Sequence, residues 1–133
     1  MPDMAIRTGT DIVEVARIKR AALQWKSGFL DKVFTRHEQA YASRGAAPYQ
    51  HLAARFAAKE AVLKAFGGGH GQGIPWTDIE IRNTSSGQPM VHLHGRMKAL
   101  QTKLRVKDIA ISMSHTRTYA VASVVMVGGR SIA

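Results

Sequence analysis

One helical segment in the middle of the chain constrains the fold more than any other feature. Residues 50–66, followed by three glycines, place Leu52, Phe56 and Leu63 at spacings of four and seven. At about 100° per residue, this spacing predicts a helix with one apolar side. Glu60 falls on that side. It is either a structural acid paired with Lys64 one turn later, or a functional group whose desolvated charge needs a cation or a metal; periodicity alone leaves both open.

The length and composition bound the class of protein. A chain of 133 residues is long enough for one compact domain and short for two, so we expect a single domain over residues 1–133. The hydrophobic fraction of 45% is typical of soluble globular proteins, and no apolar run approaches the roughly 20 residues of a membrane span. The N-terminal segment shows no secretory signal pattern, and the chain has no cysteine. We therefore expect a cytoplasmic protein without disulfides or thiolate metal sites.

The charge predicts an anionic partner. Nineteen Lys and Arg against nine Asp and Glu give a formal net charge of +10. Such an excess suits nucleic acid, an acidic protein surface or a phosphorylated ligand, and a basic surface without a specific partner is a further alternative. Aromatic residues are only 7% of the chain and are not interleaved with the basic ones. This argues against a nucleic-acid-binding module, which would need stacking platforms.

The remaining pattern predicts an α+β domain with an antiparallel sheet. A strand over 4–10 is followed at Asp11 by a helical pattern, and Thr35 with Glu38 forms a capping-box signature that opens a helix over 35–44. A turn is predicted at 85–89 and a short helix over 95–104. Strands are predicted around Ile79 and Ile81, at 91–93, at 108–114 and at 119–127. Runs of strands and helices without strict βαβ alternation favour the α+β class.

Several polar residues are candidates for chemistry. Asp11 either caps the following helix, with Glu14 three residues later, or projects from the end of a strand. His115 follows the ISMS strand at a hairpin corner, where it is either a solvated turn residue or a donor to an anion. His92 and His94 share one side of a strand, but two histidines without a third ligand make a weak metal site, and we interpret them as structural.

The glycine-rich loop over 67–73 matches neither phosphate-binding fingerprint. There is no GxxxxGK[ST], and no GxGxxG follows a strand and opens a helix. The glycines either end the preceding helix, as Gly67 does by this interpretation, or allow close approach of a ligand. In the second case Arg55, Lys59 and Lys64 would surround that ligand with positive charge.

Six segments, taken together, resemble one family. They are TGTDIVEVARI (8–18), VFTRHE (33–38), RFAAKEAVLKAFGGG (55–69), WTDIEI (76–81), GQP (87–89) and ISMSHTRTYAVASVV (111–125). In this order they resemble the acyl-carrier-protein synthases of the 4'-phosphopantetheinyl transferase superfamily. The resemblance implies the α+β fold of that family, assembled as a trimer. It also implies transfer of phosphopantetheine from coenzyme A to a serine of apo acyl carrier protein, with release of adenosine 3',5'-bisphosphate.

The resemblance also implies a catalytic set. Asp11 and Glu60 would bind Mg²⁺, a hard ion that prefers carboxylate, water and phosphate oxygens. Glu60 would deprotonate the serine of the partner, directly or through a water molecule. Lys64 would contact the phosphates of the coenzyme as a point charge. A non-catalytic scaffold that only binds carrier protein is the remaining alternative, and the presence of all three residues argues against it.

By the same resemblance, two further groups of residues would bind the substrates. Arg55 and His115 would hold the adenosine phosphate end of coenzyme A at a subunit interface, and Gly67, Gly68 and Gly69 would lie along the nucleotide. An acidic helix of the carrier protein would contact Arg17, with Arg20 and Lys32 nearby. One departure from the family pattern lies before Asp11, where Arg7-Thr8 replaces a glycine and a hydrophobic residue.

Overall fold

The structure, a computed structural model, describes residues 4–68, 73 and 75–130. The elements are β1 (Met4–Glu14), α1 (Val15–Trp25), α2 (Ser27–Val33), α3 (Arg36–Ser43), α4 (Pro48–Ala65), β2 (Ile79–Asn83), β3 (Pro89–Leu93), α5 (Gly95–Lys103), β4 (Val106–His115) and β5 (Tyr119–Gly129), with a short 3-10 turn (Trp76–Asp78) before β2. Within these ranges, no helix combines the length and the apolar character that crossing a bilayer requires. The α+β class is confirmed.

The strands form two antiparallel sheets instead of one. The larger sheet has the order β1-β5-β4, and the smaller is the β2-β3 hairpin. In the larger sheet Asp11 pairs with Ala122, while His115 pairs with Ala120. Both alanines are buried, and directly paired residues point to the same face of a sheet. Asp11 and His115 therefore lie on the covered face, but on the two outer strands.

Helix α4 covers that face and is buried almost all round, so the predicted single apolar stripe is wrong. Its alanines are small enough to be enclosed on every side, and Ala53, Ala57, Ala58 and Ala61 have no exposed surface. Strand β1 approaches the helix closely at Gly9, where an added Cβ would lie only 1.9 Å from the carbonyl oxygen of Ala61. Glycine is required there by space alone.

The start of α1 differs from the prediction. Strand β1 continues through Asp11 to Glu14, because Ile12 and Val13 pair with β5, and β-branched residues favour that conformation. Asp11 is therefore a strand residue, and its interpretation as a helix cap is wrong. The residue before α1 is Glu14, whose side chain makes no capping hydrogen bond.

Helix α3 begins as predicted and anchors α4. Thr35 accepts from the amide of Glu38 at 3.2 Å, and Glu38 accepts from the amide of Thr35 at 2.9 Å. The other carboxylate oxygen of Glu38 accepts from Ile81 N–H at 2.8 Å. Glu38 also lies 2.8 Å from Lys59, and both side chains are fully buried. This ion pair joins α3, α4 and β2 in the core.

Candidate active site

Asp11 and Lys64 meet where β1 passes α4. Lys64 Nζ donates to Asp11 Oδ1 at 3.1 Å and to the carbonyl oxygen of Thr10 at 3.0 Å. The Asp11 side chain is 17% exposed and that of Lys64 is 55% exposed, so the contact lies at the surface. The close packing at Gly9, two residues earlier in β1, brings the strand near enough for this contact.

Glu60 lies one helical turn before Lys64 on α4. Residues four apart are neighbours on the surface of a helix, with Cβ atoms about 5–6 Å apart. Glu60 is half-buried, whereas most of α4 around it is buried. The carboxylate is therefore on the accessible rim of the helix and not in the middle of an apolar face. Lys64, which contacts Asp11, therefore links Asp11 to the turn of α4 that carries Glu60.

Asp11 and Glu60 offer the type and the number of protein ligands that a magnesium ion usually takes in phosphate chemistry. Among the described residues, no group of three or more His, Cys, Asp and Glu could enclose a metal, so any ion here would take few ligands from the protein. Mg²⁺ in phosphate chemistry is usually bound by one or two carboxylates, with water and phosphate oxygens in the other positions. Asp11 and Glu60 match that donor set.

Gly67 and Gly68 end helix α4. Gly67 has φ +79°, its N–H donates to Lys64 O at 2.9 Å, and the N–H of Gly68 donates to Leu63 O at 3.2 Å. This is the Schellman arrangement, which satisfies the last carbonyls of a helix and needs a residue with positive φ. The capping interpretation of Gly67 is confirmed. Gly69 lies outside the described residues, as does most of the loop predicted to run along a nucleotide.

The prediction that Arg55 and Lys59 surround the glycine loop with positive charge is wrong. Both are buried, at 2% and 0% exposure, because α4 turns them toward α3 and β2. Arg55 donates to Asn83 Oδ1, and its guanidinium carbon lies 4.1 Å from the ring centroid of Tyr41. Burial lowers the pKa of Arg55, and the neighbouring Tyr41 and Glu38 oppose that shift.

His115 is exposed at the end of β4 and lies apart from Asp11 and Glu60 of the same chain. Strands β1 and β4 are separated by β5, which puts their backbones roughly 10 Å apart. The His115 ring contacts His51 near the start of α4, with ring centroids 5.6 Å apart. Glu60 follows His51 by nine residues, or roughly 14 Å along the helix. His115 thus lies near the other end of α4.

His51 is a residue that the sequence interpretation missed. It lies four residues before Arg55 on α4, and that helical spacing is the signal that could have identified it. Burial, then the charges of Arg55 and His115, lower the pKa of His51. The ring therefore lies partly buried and close to the positive charge of Arg55.

The predicted carrier-binding residues lie on the outer surface of α1 and α2. Arg17, Arg20 and Lys32 are exposed, and the guanidinium carbon of Arg17 is 5.9 Å from the ring centroid of Phe56. The last turn of α1 also exposes Leu23 and Trp25, at 57% and 63%. The sequence interpretation missed these two apolar residues.

Comparison with known proteins agrees with this fold. Residues 7–124 match the family described as the 4'-phosphopantetheinyl transferase superfamily. A holo-[acyl-carrier-protein] synthase of Ruminiclostridium cellulolyticum is 49% identical over 129 residues, which cover 96% of each chain. The structure of an ACPS-CoA complex from Chronobacterium ammoniagenes has a TM-score of 0.83 and 27% identity, covering 95% of this chain and 99% of that one. The structure of a Bacillus anthracis holo-(acyl-carrier-protein) synthase, in complex with CoA (3',5'-ADP), has a TM-score of 0.76 and 31% identity, covering 95% of this chain and 99% of that one.

The chain belongs to the 4'-phosphopantetheinyl transferase superfamily and, within it, to the holo-[acyl-carrier-protein] synthases, so it is a transferase. The family resemblance seen in the sequence is confirmed. The cytoplasmic location stays a prediction.

Proposed function

We propose that this enzyme transfers 4'-phosphopantetheine from coenzyme A to a serine of an apo acyl carrier protein, with Mg²⁺ bound by Asp11 and Glu60. The observation that carries the proposal is the contact between Lys64 and Asp11, which links Asp11 to the turn of α4 that carries Glu60. Solved relatives named as complexes with CoA support the choice of donor.

The transfer is a displacement at phosphorus. The serine oxygen of the carrier forms a bond to the phosphorus that carries the pantetheine arm. The bond from that phosphorus to the bridging oxygen of the pyrophosphate breaks, and adenosine 3',5'-bisphosphate leaves with the electron pair. The serine proton goes to Glu60, directly or through a water molecule. Lys64 supplies a positive charge next to the phosphates.

Magnesium, when bound, would neutralise the pyrophosphate and stabilise the charge that develops on the leaving group. The protein itself holds and orients the reacting groups. Asp11 is carried by a strand that close packing fixes at Gly9, and Glu60 by the long helix α4. Placement on such rigid elements is what precise positioning of reacting groups needs.

The enzyme acts as a homotrimer in this proposal. The outer face of the larger sheet is uncovered in one chain, and it carries several exposed apolar side chains. Ile6 and Ile12 are 65% and 64% exposed, and Tyr119 and Val125 are also exposed. Exposed apolar side chains grouped on one face favour an interface. A coenzyme bound at Asp11 and Glu60 of one subunit would then meet the exposed His115 of a neighbour, because His115 lies near the other end of α4 within one chain. Arg55, which is buried, would support that end of the site from within.

The carrier protein is proposed to be acidic and to bind at α1 and α2. The exposed Arg17, Arg20 and Lys32 would pair with its carboxylates, and the formal charge of +10 would speed the encounter.

The reaction is tested by incubating the purified chain with coenzyme A, Mg²⁺ and an apo acyl carrier protein, and weighing the carrier by mass spectrometry. We expect the mass of one phosphopantetheine to be added at the serine. A carrier that binds but gains no mass would support a scaffold instead, and retention on nucleic acid without transfer would support the binding module.

Assembly is tested by mixing two variants that are each impaired. A His115→Ala subunit and a Glu60→Gln subunit each damage a different half of a shared site, so mixed trimers contain some intact sites and regain activity. Sedimentation should show a trimer. A fully active monomer would contradict this part of the proposal.

A further inference from the structure

Four side chains from three elements form a continuous row of contacts beside β4, which we call the His51 cluster: Tyr41, His51, Arg55 and His115. The His51 ring lies edge-on to Tyr41 and to His115, with a centroid distance of 5.6 Å in both pairs and interplanar angles of 89° and 72°. The guanidinium of Arg55 covers the Tyr41 ring. The row thus runs from a buried arginine to an exposed histidine.

The buried end of the His51 cluster is fixed, yet it retains an unused donor. Arg55 is held by Asn83 and by the Tyr41 ring. Its Nε is buried, and among the described residues it has no hydrogen-bond partner. A buried donor without a partner costs free energy, typically about 1–3 kcal/mol. Such a group calls for an explanation, and a bound ligand or water molecule would supply the missing acceptor.

At the exposed end of the cluster, the His115 ring contacts His51. His115 is the last residue of β4 and is exposed, so little else in its own strand restrains the ring. His51 is half-buried in the first turn of α4. Gly45 lies beside the ring, where an added Cβ would be 3.4 Å from His51 Nε2. Tyr41 and Gly45 therefore border the His51 ring, and its other ring neighbour is His115.

We propose that His51 is a positioning residue, which holds the His115 imidazole in the orientation that donates to a phosphate of coenzyme A. This inference depends on the proposed function, in which His115 binds the adenosine phosphate end. His51 itself would not touch the phosphate. Its contribution is the edge-to-face contact, in which the ring of one histidine limits the rotation of the other.

The test compares His51→Ala, which removes the ring, with His51→Phe, which keeps a ring of similar size. His51→Ala should raise the KM for coenzyme A by roughly three- to tenfold, the equivalent of one lost aromatic contact. The kcat and the KM for the carrier protein should stay unchanged, and His51→Phe should restore the wild-type KM. His37→Ala, at an exposed histidine on α3, is the matched control and should have no effect.

A double-mutant cycle separates this inference from the proposed function. If His51 acts through His115, His51→Ala adds nothing to the KM of a His115→Ala enzyme, because the residue it positions is already absent. Additive effects would overturn the inference, as would a normal KM in His51→Ala when His115→Ala is impaired. If His115→Ala has a normal KM while His51→Ala does not, the phosphate role of His115 is wrong and the positioning role falls with it. Thermal melts of each variant confirm that it is folded.

Discussion

Lys59 Nζ lies 2.8 Å from Glu38 Oε1, and both side chains are completely buried. Lys59 also donates to the carbonyl oxygen of Trp76 at 3.2 Å and to that of Ile79, so its ammonium group is surrounded by acceptors. Burial lowers the pKa of Lys59, whereas Glu38 opposes that shift. A buried pair with all its hydrogen bonds satisfied holds α3, α4 and β2 in one arrangement.

We therefore predict that Glu38→Gln destabilises the protein by about 3–5 kcal/mol, because it leaves the Lys59 charge buried without an ionised partner. Urea unfolding at neutral pH measures the effect. The double variant Glu38→Gln with Lys59→Met should lose less than the sum of the two single changes. Glu14→Gln, at an exposed carboxylate, is the control. Equal stability of Glu38→Gln and Glu14→Gln would show that the pair contributes nothing.

Gly9→Ala tests the close packing that positions Asp11. The added Cβ would meet Ala61 O at 1.9 Å and Ala65 N at 2.9 Å, both of them backbone atoms that cannot move aside cheaply. Overpacking of this kind typically costs about 1–3 kcal/mol or more. Gly28→Ala is the matched control, since a Cβ in that helix would have no atom within 4 Å, and it should be neutral or slightly stabilising. Unchanged unfolding of Gly9→Ala would contradict the packing described.

Much of this fold could be predicted from local patterns. The capping box of Thr35 and Glu38 identified α3, and alternation with turn residues identified the strands. The boundary of α1 was misplaced because Ile12 continues the helical spacing of Val15 and Ile18, and only its pairing with β5 shows that it belongs to the strand. Helix α2 was not predicted, since its seven residues carry no side-chain cap.

The candidate site was predictable in its residues but not in its surroundings. Asp11, Glu60 and Lys64 were identified, although the reason given for Glu60 was wrong, because alanine-rich helices are buried without a marked apolar stripe. The partners of Lys59 and Arg55 could not be predicted, since Glu38 and Asn83 are distant in sequence and follow no helical or strand period. His51 was missed for a related reason, because its contact with His115 depends on the tertiary fold.

Glu80 should make stability depend on pH in the acid range. Burial alone would raise the pKa of Glu80, but hydrogen bonds from Thr35, His94 and Arg82 outweigh it and lower the pKa to about 2. The folded pKa lies below the ordinary value of 4.5, so this stabilisation is complete above that pH and is lost as the pH falls toward 2.

The lowered pKa of Glu80 corresponds to about 3 kcal/mol of stabilisation at neutral pH, since one pKa unit corresponds to about 1.4 kcal/mol. Urea unfolding from pH 7 to pH 3 should show a shallower loss for Glu80→Gln than for wild type. Glu14→Gln serves again as the exposed control. If Glu80→Gln and wild type lose stability in parallel, the carboxylate is not held in its charged form.

Arg17→Gln tests the proposed carrier surface. We predict a higher KM for the carrier protein, a nearly unchanged KM for coenzyme A, and a weaker dependence of carrier binding on salt, because one exposed charge is removed from the encounter surface. Lys103→Gln, at an exposed residue on α5, is the charge-matched control. Equal damage to both substrates would contradict the assignment of Arg17.

The central claim is that Asp11 and Glu60 together hold Mg²⁺ for the transfer. Their substitution by Asn and Gln keeps the shape and removes the charge. Because the Lys64–Asp11 contact is partly exposed, its loss should change stability by no more than about 1 kcal/mol. A structural role for either acid would instead appear mainly in the free energy of unfolding.

The most direct test is therefore turnover against Mg²⁺ concentration for wild type, Asp11→Asn, Glu60→Gln and the Glu14→Gln control, with thermal melts in the presence and absence of the metal. We predict that each of the first two variants loses roughly 100-fold or more in turnover while it remains folded, and that chelation abolishes the wild-type activity. The control should match wild type. Near-normal turnover of Glu60→Gln with an unshifted Mg²⁺ requirement would contradict the metal assignment.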